Sequence, residues 1–120
     1  MPDRIEIKDL LVRTIVGINK DERESLQDVI INVTLDTDMT KPGRTDDISD
    51  AVNYRTLTKQ IISLVESSRF YLIEKLAAEI ARICLSDERV AHATVSVEKP
   101  GALRFARSAG VTIERSRDDA

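Results

Sequence analysis

At 120 residues, with 42% apolar side chains and a formal net charge of −3 from 18 Lys and Arg against 21 Asp and Glu, the chain has the size of one domain and can bury roughly two thirds of its unfolded surface. That composition disfavours intrinsic disorder, and no apolar run approaches the ~18 residues of a membrane-spanning helix. Met1, Pro2, Asp3 and Arg4 do not start a basic-then-apolar leader, so the expectation is a soluble, cytoplasmic protein with no membrane partner. A single cysteine, Cys84, excludes an intrachain disulfide, and a single histidine, His92, excludes a metal site built on several His or Cys ligands. Negative charge, with only Tyr54, Phe70, Tyr71 and Phe105 as aromatics, argues against a nucleic acid partner.

From Arg4 to Gly17, Ile5, Ile7, Leu10, Val12, Ile15 and Val16 recur with a two-residue rhythm that breaks near Asp9 and Leu10, which predicts one long strand bulged at that point. A polar connection from Asn19 to Gln27 follows. Val29, Ile31, Val33 and Leu35 then alternate strictly with Ile30, Asn32, Thr34 and Asp36, the pattern of a half-buried strand. Lys41-Pro42-Gly43 marks a turn, and the stretch with Asp46, Asp47 and Asp50 reads as a loop or a short helical turn. Leu57, Ile61, Leu64 and Val65 form the stripe of an amphipathic helix over Tyr54 to Ser67, with Asn53 as its N-cap. Leu72, Leu76, Ile80 and Ile83 predict a second helix from about Phe70 to Leu85. Ala93, Val95 and Val97 mark a third strand up to Lys99, and Val111 and Ile113 a fourth beyond Pro100-Gly101. The order is ββααββ. It predicts one α+β domain over residues 1–120, with a four-stranded antiparallel sheet, both helices on one face and a solvated tail from Ser116 to Ala120.

No Gly-rich phosphate loop, Cys pair or Ser-His-Asp set is present, so any chemistry falls to Lys, Tyr, Glu and Arg. Lys99, at a strand end before Pro100, can serve as a general acid or base if partly desolvated, against the ordinary reading of a solvated lysine. Tyr54 sits where a loop enters a helix and equally reads as that helix's amphipathic anchor. Glu74 complements a helix N-terminus, yet a carboxylate there can also accept two parallel N–H bonds from an amidine-like edge. Glu22 lies in the charged run Lys20-Asp21-Glu22-Arg23-Glu24, which by itself reads as a solvated hairpin loop. Arg55, Lys59, Arg104 and Arg107 form a phosphate-binding set only if the fold gathers them; scattered surface charge is the default. Cys84 reads as a small buried hydrophobe, and His92 opens a strand with no partner in view.

Four segments occur in the order and spacing of the dihydroneopterin aldolases and their close relatives: Gly17 to Gln27 with Glu22 inside it, Asp50-Ala51-Val52-Asn53-Tyr54, Tyr71-Leu72-Ile73-Glu74-Lys75-Leu76-Ala77, and Glu98-Lys99-Pro100-Gly101-Ala102. The chain resembles that family over nearly its whole length. Val52-Asn53-Tyr54-Arg55-Thr56-Leu57-Thr58-Lys59 and Ala102-Leu103-Arg104-Phe105-Ala106 look more like the dihydroneopterin triphosphate 2′-epimerase branch, whereas Lys99-Pro100-Gly101-Ala102 also looks like bacterial aldolases.

The resemblance implies the tunnelling fold (T-fold), in which ββααββ subunits join their sheets into a barrel with helices outside, as homo-tetramers or stacked octamers. It implies a pterin site between subunits, with Glu74, Lys99 and Glu22 on one side and Val52 and Tyr54 on a neighbour. Glu74 would grip the pterin's 2-amino and N3 hydrogens beside main-chain groups of Leu72 and Ile73, while Val52 and Tyr54 line the ring. Lys99 would be the general acid/base, Tyr54 a proton donor or relay near C1′, and Glu22 a positioner or base for the hydroxyls. The implied reaction is a retro-aldol cleavage whose electron sink is the substrate's own C6=N5 imine, so that neither cofactor, metal nor Schiff base is needed. In epimerisation the aldehyde fragment is retained and bonded again with C2′ inverted. A triphosphate offers a handle for that retention, and Arg55, Lys59 and Arg104 are the residues assigned to it. The expectation is therefore a dihydroneopterin triphosphate 2′-epimerase with aldolase side activity, making dihydromonapterin triphosphate. Its rivals are an aldolase yielding 6-hydroxymethyl-7,8-dihydropterin and glycolaldehyde for folate synthesis, and a non-catalytic pterin-binding protein.

Overall fold

Strict alternation makes β2 (Gln27–Asp36) the organising strand: Val29, Ile31, Val33 and Leu35 are buried, and the residues between them are half-buried. A computed structural model describes residues 3–117 and sets β2 in a four-stranded antiparallel sheet of order β1-β2-β3-β4, with β1 at Arg4–Thr14, β3 at His92–Pro100 and β4 at Ser108–Ser116. Ile7 pairs with Val33, Val33 with Val95, and Val95 with Ile113, so one apolar row crosses the whole sheet on a single face. The other face carries Asn32, Thr34, Thr94 and Ser96, with the apolar pair Leu11 and Ile30 toward one end.

The bulge expected near Asp9 and Leu10 is present. The β1/β2 register shifts between Ile7 and Leu10, Asp9 adopts φ 55°, and its amide donates to Asn32 Oδ1 at 2.8 Å. Its physical role is one of phase. Ile5 and Ile7 are odd-numbered and Leu10, Val12 and Thr14 even-numbered, so one extra residue is needed to turn both halves toward the helices. The strand ends at Thr14, not at Gly17 as the apolar run suggested. There the buried Thr14 hydroxyl donates to the Val65 carbonyl at 2.6 Å, which ties the strand end to a helix C-terminus.

Two helices cover the apolar face. The first, here numbered α3, spans Tyr54–Ser67 as predicted; Asn53 accepts from the Thr56 amide at 3.2 Å, and Leu57, Ile61 and Val65 are its buried stripe. The next, α4, spans Ile73–Leu85 and starts three residues later than expected, because Leu72 is extended (φ −122°, ψ 138°). Its buried side is Leu76, Ala77, Ile80, Ala81 and Cys84; Leu72 is exposed and Ile83 only half-buried, contrary to the predicted stripe.

The connections hold more structure than the sequence suggested. Lys20–Glu24 forms a one-turn helix (α1), and Thr40–Thr45 another (α2), where a turn at Lys41-Pro42-Gly43 was expected. Pro42 is tolerated because it lies in the first turn, and Asp46 closes α2 in the left-handed conformation at φ 54°. The acidic stretch takes the short helical turn that was one of its two expected forms, a 3-10 turn at Ile48–Asp50 with Asp47 accepting from the Ser49 amide. Ser116, expected to open a solvated tail, ends β4 instead, and Arg117 donates to the carbonyls of Leu85, Asp87 and Val90 at 3.0, 2.9 and 2.6 Å. Residues 118–120 of that expectation lie outside the described residues. His92 also differs from expectation, since its Nε2 lies 3.1 Å from Glu114 Oε1 on β4. No helix among the described residues is long and apolar enough to cross a membrane. Within the chain, β1 and β4 are the sheet edges, each with one open row of main-chain groups.

Candidate active site

Lys99 lies two residues beyond the buried Val97, so its stem leaves the sheet on the helix side at the end of β3. Its ammonium donates to the Glu22 carboxylate and, at 3.3 Å, to the Val16 carbonyl. The pair is largely withdrawn from solvent, with 14% of the Lys99 side chain and 24% of the Glu22 side chain exposed. Glu22 reaches Lys99 because α1 places it at the third position of a capping box, where its carboxylate also accepts from the Asn19 amide at 3.1 Å. The hydrogen bond from Lys99, followed by that from Asn19, holds the Glu22 carboxyl below the ordinary glutamate value of 4.5. Both groups border a cleft of about 530 Å³ lined further by Asn19, Gln27, Gly101 and Ala102. A charged donor beside a carboxylate, at the wall of an open cleft, can hold and deliver a proton to a bound hydroxyl.

Gly17 makes this arrangement possible. It adopts φ 137°, and a Cβ there would overlap the Glu22 carboxylate. Its peptide is fixed at both ends: the Gly17 amide donates to Phe70 O at 3.2 Å, and Gly17 O accepts from Arg23 Nη1 at 3.2 Å. Arg23 also donates to Phe70 O at 3.0 Å and, through Nη2, to Arg69 O at 2.7 Å. These bonds hold the segment before α4 extended, so that the helix begins at Ile73 with Glu74, exposed, in its first turn. Glu74, Leu72 and Ile73 thus flank the Glu22 loop through Phe70 and Tyr71. The sequence reading missed Arg23 and the conformation of Gly17: an arginine inside a run of charges carries no mark of burial, and one glycine carries no mark of its φ.

Val52 and Tyr54 are elsewhere. They line a cleft of about 290 Å³ with Ile5, Thr37 and Asp38, where β1 begins and β2 ends. Lys99 is at the opposite end of the sheet, and the ten residues of β2 between the two ends span roughly 30 Å. One chain therefore does not bring Tyr54 to Lys99. The basic residues are not gathered within a chain either. Lys59 lines a separate cleft of about 450 Å³ along α3. Arg55 follows Tyr54, Arg104 lies over the exposed Phe105 ring at 5.6 Å, and Arg107 pairs with Glu98 at 3.5 Å. Cys84 is buried, and burial pushes its thiol up to about 12. Among the described residues no group of three or more His, Cys, Asp or Glu side chains is placed to hold a metal.

The profile of the FolB (dihydroneopterin aldolase) family matches residues 5–114. The chain is 43% identical over 114 residues to the dihydroneopterin triphosphate 2′-epimerase of Pseudomonas aeruginosa, covering 95% of this chain and 93% of that one. It is likewise 43% identical over 116 residues to the folic acid synthesis protein FOL1 of Dictyostelium discoideum, covering 97% of this chain but only 18% of that longer protein. Identity to the dihydroneopterin aldolase of Escherichia coli is 30% over 116 residues, covering 97% of this chain and 95% of that one. Among solved structures, E. coli dihydroneopterin aldolase in complex with neopterin superposes with a TM-score of 0.91 at 31% identity, covering 95% of this chain and 99% of that one. The enzyme of Burkholderia thailendensis bound to guanine gives 0.82 at 27%, covering 97% and 92%.

Proposed function

The chain belongs to the FolB (dihydroneopterin aldolase) family, and from that premise we propose that it is a dihydroneopterin triphosphate 2′-epimerase with aldolase side activity. The observation that carries the reading is the Lys99–Glu22 pair, held largely out of water at an open cleft in a chain more like the epimerases than the aldolases. Glu74 receives the donor edge of the pterin, with main-chain groups of Leu72 and Ile73 beside it. A base, Glu22 or Lys99 after proton exchange between them, removes the 2′-hydroxyl proton. The C1′–C2′ bond breaks, its electron pair passes into the C6=N5 imine, and N5 takes up a proton. The aldehyde fragment turns its other face, C1′ bonds to it again as N5 gives its proton back and the C6=N5 imine re-forms, and the new alkoxide is protonated from Lys99, leaving C2′ inverted. Each proton removed is returned, and the substrate's own imine serves as the electron sink.

Tyr54 and Val52 act in this scheme from a second copy of the chain, because within one copy they stand at the far end of the sheet. The open edges of β1 and β4 favour that assembly into a homo-oligomer, and a tetramer or octamer in the cytoplasm is part of the proposal. The copy that brings Tyr54 also brings Arg55. This matters because Asp21, Glu22 and Asp28 outnumber Arg13 and Lys99 in the cleft of the first copy, so a triphosphate needs cations from outside it. Arg55, with Lys59 on the same helix, and Arg104, two residues beyond the cleft-lining Ala102, supply them. Charge-assisted hydrogen bonds of about 1.5–3 kcal/mol each then retain the cleaved aldehyde against diffusion.

The test is incubation with 7,8-dihydroneopterin triphosphate and, separately, 7,8-dihydroneopterin, followed by chromatography that resolves the 2′-epimers. Conversion of the triphosphate to the monapterin form with little hydroxymethyl product supports the epimerase. Predominant cleavage of the unphosphorylated compound makes the protein an aldolase, and binding of pterin without turnover makes it a binding protein.

A further inference from the structure

Between the two halves of the proposed site stands a side chain with no part in the chemistry above. Arg23 follows Glu22 on α1, and its guanidinium spends its donors on three main-chain carbonyls from two separate segments: Gly17, Phe70 and Arg69. Its Cζ lies over the Tyr71 ring, 4.1 Å from the centroid. The Arg69 guanidinium answers by donating to the Arg23 carbonyl at 3.3 Å, so the two segments are laced in both directions. One of them, residues 16–23, carries Glu22 and, through Val16 O and Glu22, grips Lys99. The other, residues 69–72, leads directly into the first turn of α4 with Glu74.

We propose, on the basis of the functional reading above, that Arg23 is a positioning residue that fixes the acid/base pair Glu22–Lys99 in register with the pterin-gripping start of α4. On α1 Glu22 is turned to Lys99, and just beyond it the Ser25 hydroxyl bonds back to Asp21 O, so Arg23 is the α1 side chain that spans the gap, beside the main-chain bond from Gly17 to Phe70 O. The geometry demands arginine. A planar fork with five donors can reach carbonyls of separate segments while stacking on an aromatic ring, whereas a lysine ammonium is a single point at the end of a flexible stem. Catalysis depends on relative placement, because a shift of about 1 Å between a bound substrate and its catalytic group costs on the order of 10²-fold in rate. Loss of the Arg23 side chain leaves Glu74 and Lys99 each intact and keeps the Gly17 amide bond to Phe70 O and the Arg69 bond to the residue-23 carbonyl, but it removes the fork to Phe70 and Arg69 and the contact with Tyr71, so that one segment drifts against the other. Turnover falls while the affinity for a pterin, set by the Glu74 side and by Val52 and Tyr54 of the second copy, is kept.

The experiment compares wild type, Arg23→Ala and Arg23→Lys, each checked for the wild-type circular dichroism spectrum and oligomeric mass. It measures kcat and KM for dihydroneopterin triphosphate and, by fluorescence titration, the Kd for neopterin. The expected result is a kcat lower by roughly 10- to 100-fold in both variants, with the neopterin Kd within about threefold and no rescue by lysine. Should the alanine variant fail to fold, the lysine variant carries the comparison. A kcat within threefold of wild type in the folded variants overturns the role of Arg23 alone, as does a neopterin Kd that rises by the factor by which kcat falls. A wild-type protein that turns over neither dihydroneopterin nor its triphosphate overturns the functional reading and this role together.

Discussion

Replacing Gly17 by alanine tests whether the Glu22 carboxylate is held by the absence of a side chain beneath it. At φ 137° an L-residue bears strain of order 1–3 kcal/mol. The added Cβ would also meet Cδ, Oε1 and Oε2 of Glu22 well inside the ordinary contact distance of 3.4–4 Å. The peptide has no freedom to turn away, since the Gly17 amide and carbonyl are bonded to Phe70 O and Arg23. The carboxylate must therefore retreat by roughly 1 Å from Lys99, a misplacement that costs about 10²-fold in rate, or about 2.7 kcal/mol of activation free energy. The assay is steady-state epimerisation of dihydroneopterin triphosphate, with thermal unfolding in parallel. Gly17→Ala is expected to lose about two orders of magnitude in kcat with KM within about threefold, and to melt several degrees lower. A variant with kcat within threefold of wild type would refute the reasoning, because the carboxylate would then work equally well from another position.

Three further outcomes follow from the same structure. The Glu22 carboxyl is depressed below 4.5 chiefly by Lys99, so its contribution to stability is present above that value and lost as pH falls through the lower folded one. The stability difference between wild type and Glu22→Gln, read by urea unfolding, should shrink below pH 4.5, and a difference unchanged down to about pH 3 contradicts the pairing. Arg55→Ala should raise KM for the triphosphate roughly tenfold or more while sparing unphosphorylated dihydroneopterin, and an equal loss on both substrates removes Arg55 from the phosphate handle. Ile31 is fully buried at the centre of the sheet, and Ile31→Ala should cost about 2–5 kcal/mol in urea unfolding; a cost under about 1 kcal/mol would mean that the core repacks around it.

Where the chain carries long apolar periods, its sequence was enough to place the elements. β2 reads directly from the alternation of Val29 to Leu35, and α3 from the stripe of Leu57, Ile61 and Val65 with Asn53 before it; both are where the periodicity puts them. The bulge in β1 was legible too, because the apolar residues change parity at Asp9 and Leu10. The short helices α1 and α2 were not, since one turn stabilised by caps and neighbours leaves too few residues for a period. The start of α4 was misplaced because Phe70, Tyr71 and Leu72 are apolar enough to extend the stripe. The bonds from Gly17 and Arg23 to the carbonyls of Phe70 and Arg69 hold this segment extended ahead of the helix.

The candidate site divides along the same line. The sequence by itself determined the residue types present, the family they resemble and the scarcity of His and Cys for metal chemistry, because these depend on identity and order along the chain. The tertiary structure decided which of those residues meet. It put Lys99 on Glu22 across 77 positions of chain, turned Arg23 from a solvated charge into a tie between two segments, and set Tyr54 at the other end of the sheet from Lys99. Contacts of that kind join residues far apart in the chain, where side-chain direction and strand register together fix distance, and neither is written in any local stretch of sequence.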